Sequence, residues 1–182
     1  DGFIESLSVA SALMEKNLIS NIRLIRADGL QKKGENDLRM AVKKEDTILR
    51  DILQKGLNGI DSKTKSQLFE NYFNANRTLY EIRDQVAKEV ILTKAEQSWL
   101  KDHPVLRVAP DPDYPPLEFF DDKGEYQGLA ASFMRLVADR VDFKLEVVRK
   151  ENWTGALNAL RSGEADFIAA NTPTTEFLKE FI

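Results

Sequence analysis

An α/β fold with parallel strands is what residues 99–177 predict, and three observations lead there. Short apolar, partly β-branched runs at 105–109, 143–148 and 165–171 read as strands. Between them lie two segments with helical spacing, one carrying Leu129, Phe133, Leu136, Val137 and Val141, the other Trp153, Ala156, Leu157 and Leu160. The resulting order, β-α-β-α-β, calls for parallel strands joined by right-handed helical crossovers.

Each junction has its own punctuation. The first strand runs into Pro110-Asp-Pro-Asp-Tyr-Pro-Pro116, a loop too rich in Asp and Pro to continue as sheet. Such a loop lies at the carboxyl end of a strand, where open α/β sheets hold ligands. Gly128 opens the first helix, and Gly163 stops the second in a position that tolerates a left-handed backbone.

The N-terminal portion reads in order as follows. A helix includes Leu7, Ala10, Leu13 and Met14, residues 21–27 alternate as a strand, and 28–36 form a polar connection. A second strand covers 38–42, after which Asp46 caps a helix with Ile48, Leu49, Ile52, Leu53 and Leu57 on one face, ended by Gly59. Asp61 or Ser62 starts another, with Leu68, Phe69, Tyr72 and Phe73 at its apolar positions. Leu79, Ile82, Val86 and Val90 recur at spacings of three and four, an amphipathic linker helix over 74–90. Thr93 and Glu96 satisfy the capping-box pattern for a short helix with Trp99 and Leu100, which His103-Pro104 breaks.

Composition narrows the function. In 182 residues, 42% hydrophobic content is enough for a core, and the formal charge of −4 points to neither nucleic acid nor an anionic membrane. There is no cysteine, which removes disulfides and thiolate chemistry, and no apolar run of membrane-spanning length. The chain starts without a signal peptide inside what reads as strand or loop, so an excerpt of a longer protein is expected.

Catalytic readings are thin. Asp111, Asp113, Glu118, Asp121 and Asp122 alternate with Pro and aromatics, without the spacing of a calcium loop, and read as solvated turn carboxylates. His103 is the only histidine and sits at a helix end, so neither a multi-His metal site nor a triad with a nucleophile elbow can be built on it. No phosphate-cradling glycine motif is present, and no cofactor is implied. Binding has better support. The loops at 111–118 and 171–176 follow parallel strands and should emerge on one edge of the sheet. Asp111, Tyr114, Glu118, Asn171, Thr172 and Thr174 are the candidate ligand contacts. Tyr114 either stacks on a ligand or covers the core; the threonines either face the cleft or cap a helix; Trp153 favours the core.

Five motifs in order carry a resemblance: Tyr114-Pro-Pro-Leu-Glu-Phe119, Gly124-Glu-Tyr-Gln-Gly128, Trp153 with Ala156-Leu157, Gly163-Glu-Ala-Asp166 and Thr172-Pro-Thr-Thr-Glu176. Together they resemble family 3 extracellular solute-binding proteins, in the tandem Venus-flytrap subtype that precedes bacterial histidine kinases. Residues 1–11, 36–44 and 48–57 similarly resemble the last third of such a module. The resemblance implies type II periplasmic-binding-protein-like lobes present as partial modules. Residues 1–75 would be the C-terminal part of a first module, 76–103 a helical linker that either relays movement or merely packs, and 104–182 the N-terminal lobe of a second. Alternatively, tail and head pack into one compact lobe-like unit.

By the same resemblance the protein is not an enzyme in this region. It would sense a small molecule, an amino acid or other small solute, outside the cytoplasm, in the periplasm. It would adjoin another sensor module and a membrane-linked output domain, with no nucleic-acid partner and with a homodimer allowed. Delivery of substrate to an ABC transporter is the alternative. One position departs from the family pattern: Phe177 stands where amino-acid binders carry an Arg that pairs with the ligand's α-carboxylate, which favours a different ligand or a module working without one.

Overall fold

A computed structural model describes residues 39–73, 89–172 and 174–182. In chain order these form β1 (Arg39–Ala41), α1 (Thr47–Gly59), α2 (Ser62–Phe73), α3 (Lys94–Asp102) and β2 (Val105–Val108). Then follow β3 (Asp113–Tyr114), β4 (Glu118–Phe120), β5 (Tyr126–Gln127), α4 (Leu129–Val141), β6 (Lys144–Val147), α5 (Trp153–Ser162), β7 (Ile168–Asn171) and α6 (Phe177–Glu180). The elements read before residue 38 and the linker helix over 74–88 lie outside the described residues. At 89–90, where that helix was expected to persist, the chain is not helical.

The α/β reading holds. β2 and β6 pair in parallel, Val105 against Lys144 through Val108 against Val147, and α4 supplies the crossover between them. A second parallel bridge joins Val108 to Phe167, where the Ala109 amide donates to the Phe167 carbonyl at 3.1 Å. α5 is the crossover into this strand. Its Asn152 cap accepts from the Gly155 amide, and Gly163 closes it at φ 77°.

β1 pairs antiparallel with β7, Arg39 opposite Asn171 and Ala41 opposite Ile168. Val42 and Ile182 extend the ladder, exchanging two backbone hydrogen bonds of 3.0 Å. α1 then lies against α4, burying Leu49, Ile52 and Leu53. At the crossing stands Gly56, where an added Cβ would meet Val137 Cγ1 at 2.7 Å. Tail and head thus share one core, in which Ile52, Val108, Val137 and Phe167 are all fully buried.

Two local expectations need correction. Asp46 occupies the N-cap position of α1 but makes no side-chain cap bond, because its backbone is bent at φ −84°, ψ 48° rather than extended. Asp61 does serve α2: its carboxylate accepts from the Lys63 and Thr64 amides at 2.8 and 3.0 Å and from the Thr64 hydroxyl at 2.7 Å. The stretch after β2 is not a plain loop either. It folds into a three-stranded antiparallel meander, β3-β4-β5. Asp121 makes this possible by accepting from the Lys123 and Glu125 amides, which closes the turn around Gly124 at φ 80°. The capping box at Thr93 forms as read, with both reciprocal bonds present.

Candidate ligand cleft

Parallel pairing decides where the two candidate loops emerge. Because Val108 bridges Phe167 in parallel, the chain beyond 109 and the chain at the end of β7 leave the sheet at the same edge. Asp111 and Tyr114 belong to the first loop, Asn171, Thr172 and Thr174 to the second.

Glu118 is the organising residue of the first loop. It is fully buried, one carboxylate oxygen accepting from the Asp111 amide and the other from the Tyr126 hydroxyl, both at 2.9 Å. The reading of this acid as a solvated turn carboxylate is therefore wrong. Burial pushes its carboxyl pKa up to about 8, against the lowering effect of its two hydrogen bonds, with the Asp111 charge adding to the rise. Burial also raises Asp111, whose carboxylate accepts from the Asp113 amide at 3.1 Å. The Tyr126 phenol is pushed well above its ordinary value by burial first and then by Glu118. Glu118 holds Asp111 and the meander together from within, which leaves Asp111 partly exposed and Asp113 exposed as the acids of this loop.

Tyr114 is half-buried and packs on the small cluster of Leu68, Leu117 and Leu129, which supports the core-covering reading of its ring. Behind it Gly128 is obligatory: its φ of 114° favours glycine, and a Cβ there would meet the Leu117 carbonyl oxygen at 2.4 Å.

In the second loop Asn171 is 8% exposed, and its side-chain Nδ2 is buried without a hydrogen-bond partner among the described residues. An unsatisfied buried donor at the end of a strand is costly unless something accepts from it. Thr174 is exposed, and its hydroxyl accepts from the Phe177 amide at 3.2 Å, so it caps the short α6 as the alternative reading held. Thr172 is half-buried. Phe177 packs against Phe181 with the rings tilted by 46° and their centroids 4.8 Å apart, and joins the apolar cluster around Leu160 and Ile168. Trp153 packs in that cluster too.

Other titratable groups have structural roles. His103 stacks on Trp99 at 4.0 Å, and its Nδ1 lies 2.8 Å from the Trp99 carbonyl. Asp166, a residue the sequence marked only as part of a motif, accepts from the Arg107 amide at 2.7 Å and from the guanidinium at 3.0 and 2.6 Å. This forked pair ties the turn before β7 to β2 and raises the Arg107 pKa. Among the described residues, no three His, Asp or Glu side chains are arranged to hold a metal ion. No helix among them is long and apolar enough to cross a membrane.

Residues 106–181 match the bacterial extracellular solute-binding proteins, family 3. The matched segment holds the parallel pairing of β2 with β6, the bridge from Val108 to Phe167 and both cleft loops, and the family it is similar to is one of binding proteins rather than catalysts. Relatives extend the similarity beyond it. The virulence sensor protein BvgS of Bordetella pertussis is 22% identical over 170 residues, 93% of this chain and 13% of its own length. The sensor protein EvgS of Escherichia coli K12 is 20% identical over 137 residues, 75% of this chain and 11% of its own length. The crystal structure of the B. pertussis BvgS periplasmic domain superposes with a TM-score of 0.47 and 27% identity, covering 49% of this chain and 17% of that one. The chain therefore spans only a small part of these sensors.

Proposed function

We propose that this chain is part of the periplasmic, Venus-flytrap sensor region of a membrane-anchored signalling protein. It would recognise a small solute at the carboxyl edge of β2 and β7. The observation that carries the reading is the family 3 segment placed so that both of its loops leave one sheet edge, with an unsatisfied Asn171 donor at that edge. Similarity to two sensor proteins across most of the chain favours sensing over solute delivery to a transporter. In this reading residues 1–75 derive from a first module, 76–103 from a linker and 104–182 from the head of a second. The contact of β1 with β7 is then the route by which a ligand at Asn171 is felt in the preceding segment.

The ligand contacts are Asp111, Asn171 and Thr172, with Tyr114 as a wall. Phe177 offers no cation, so a solute recognised by neutral donors is favoured over one anchored through an α-carboxylate. A thermal-shift screen of the complete sensor region against amino acids, organic acids and polyamines tests this. A ligand at 100 times its Kd should add about 2.7 kcal/mol of stability. Loss of that shift in Asn171→Ala, with the unliganded melting temperature unchanged or raised, would assign the contact. Absence of any shift across the three solute classes would defeat the small-solute reading.

A further inference from the structure

A pocket of about 530 Å³ lies between α1, α2, α4 and the β1–β7 pair, with Leu117 of the first cleft loop on its wall. None of Asp111, Tyr114, Asn171 or Thr172 lines it. Its floor is apolar: Phe133 and Met134 from α4 with Ala169 and Ala170 from β7, faced by Leu53 and Leu57 of α1. Its polar groups are cations and neutral amides. Arg39, Arg50 and Lys65 reach it with Gln54 and Asn58, and no acidic residue lines it.

The placement follows from the helix. Arg50, Gln54 and Asn58 recur every four residues, so they form one stripe of α1 beside the apolar pair Leu53 and Leu57. Gln54 Nε2 donates to Asn58 Oδ1 at 2.9 Å, which ties the two amides together along this edge. Arg50 is held by its neighbour Asp51 at 2.7 Å. Arg39 and Lys65 have no such ion pair among the described residues, and they approach from β1 and α2 respectively. A volume of this size suits a small organic molecule. An apolar floor with a rim of three cations, two neutral amides and no carboxylate side chain favours an anionic head group.

We propose that this cavity is a second binding site, for an amphipathic anion whose apolar body lies on the α4–β7 floor and whose carboxylate or similar head pairs with Arg39 and Lys65. Because the site joins the β1–α1 segment to α4 and β7, an occupant would clamp the two together without touching Asp111, Asn171 or Thr172.

Isothermal titration of the whole protein with decanoate, decanol and decyltrimethylammonium, each kept below its micelle concentration, tests the proposal. Decanoate should bind, decanol about tenfold more weakly and the cation weaker still, since two partly exposed ion pairs are worth on the order of a tenfold change in affinity. Arg39→Gln and Lys65→Gln should each weaken decanoate by roughly three- to fivefold while leaving the melting temperature and decanol binding unchanged. Leu57→Trp, which fills the space, should abolish binding of both decanoate and decanol. Equal binding of the anionic and cationic probes, or decanoate binding indifferent to both charge removals, would overturn the site as an anion site. Failure of all three probes to bind would overturn it altogether.

Discussion

At the scale of single residues, Glu118 shows how far environment outruns residue type. A glutamate between a Pro-rich turn and aromatics reads as solvated, and nothing nearby in sequence announces its burial. The signal was Tyr126, eight residues on, whose hydroxyl the fold turns inward to meet it. The consequence is a pH dependence of defined sign. Unfolded, the group titrates near its ordinary 4.5; folded, at about 8. Between these values the folded state holds a proton that the unfolded state has lost, so the contribution of this group to stability is full below pH 4.5 and is lost as pH rises toward 8. The slope at its steepest is about 1.4 kcal/mol per pH unit. Glu118→Gln keeps the shape, accepts from the Asp111 amide and donates to Tyr126, so its urea-unfolding free energy should lose this slope and exceed the wild type's at pH 8. A variant with the wild-type slope would show that Glu118 is ionised in the fold. Gly128→Ala meets both a positive φ and a carbonyl oxygen at 2.4 Å, and should cost at least about 2 kcal/mol in the same measurement.

At the scale of elements, most of what forms was legible. The strands at 105–108 and 144–147, the helices on either side, and the Thr93 box all follow from spacing and punctuation that depend on near neighbours alone. What failed depends on local backbone geometry and close approaches that residue spacing does not encode. The meander at 113–127 requires Asp121 to satisfy a turn, and Asp46 loses its cap because the chain leaving β1 is bent as it enters α1. The contact of α1 with α4 was likewise out of reach, since it turns on one missing side chain. Gly56 in mid-helix looks like a weakness, yet it lets α1 approach Val137 closely. Gly56→Ala gains about 1 kcal/mol of helix propensity but must displace a stiff, buried Val137, and overpacking of this kind costs about 1–3 kcal/mol. A net loss is expected. Adding Val137→Ala should recover part of it, so that the double-mutant cycle gives a favourable coupling; an additive cycle would mean that the helices do not meet here in solution. Removing the α3 cap with Thr93→Ala should lower stability by about 1 kcal/mol.

At the scale of the whole molecule, the question is whether 39–60 is a passenger or a structural part of the solute-binding segment. The order of motifs separates the two in sequence, since the family segment begins only at 106. In space they are one object: β1 completes the ladder of β7, Val42 exchanges bonds with Ile182, and Lys55 of α1 reaches Glu96 of α3 at 2.7 Å. Glu96, though its burial acts to raise its pKa, is held below the ordinary value by Lys55 and by the Thr93 cap. A structure built this way should open as a unit. Ile52→Ala removes a fully buried side chain from α1 and should cost about 2–5 kcal/mol. If the core is shared, native-state hydrogen exchange will show that loss equally at the Ala41, Val108 and Ala170 amides, which lie in three different strands. If exchange accelerates at Ala41 while Val108 and Ala170 keep their protection, the N-terminal segment is a separately unfolding layer. Its strand could then transmit nothing from the cleft, because a movement reaches β1 only through a ladder that does not open on its own.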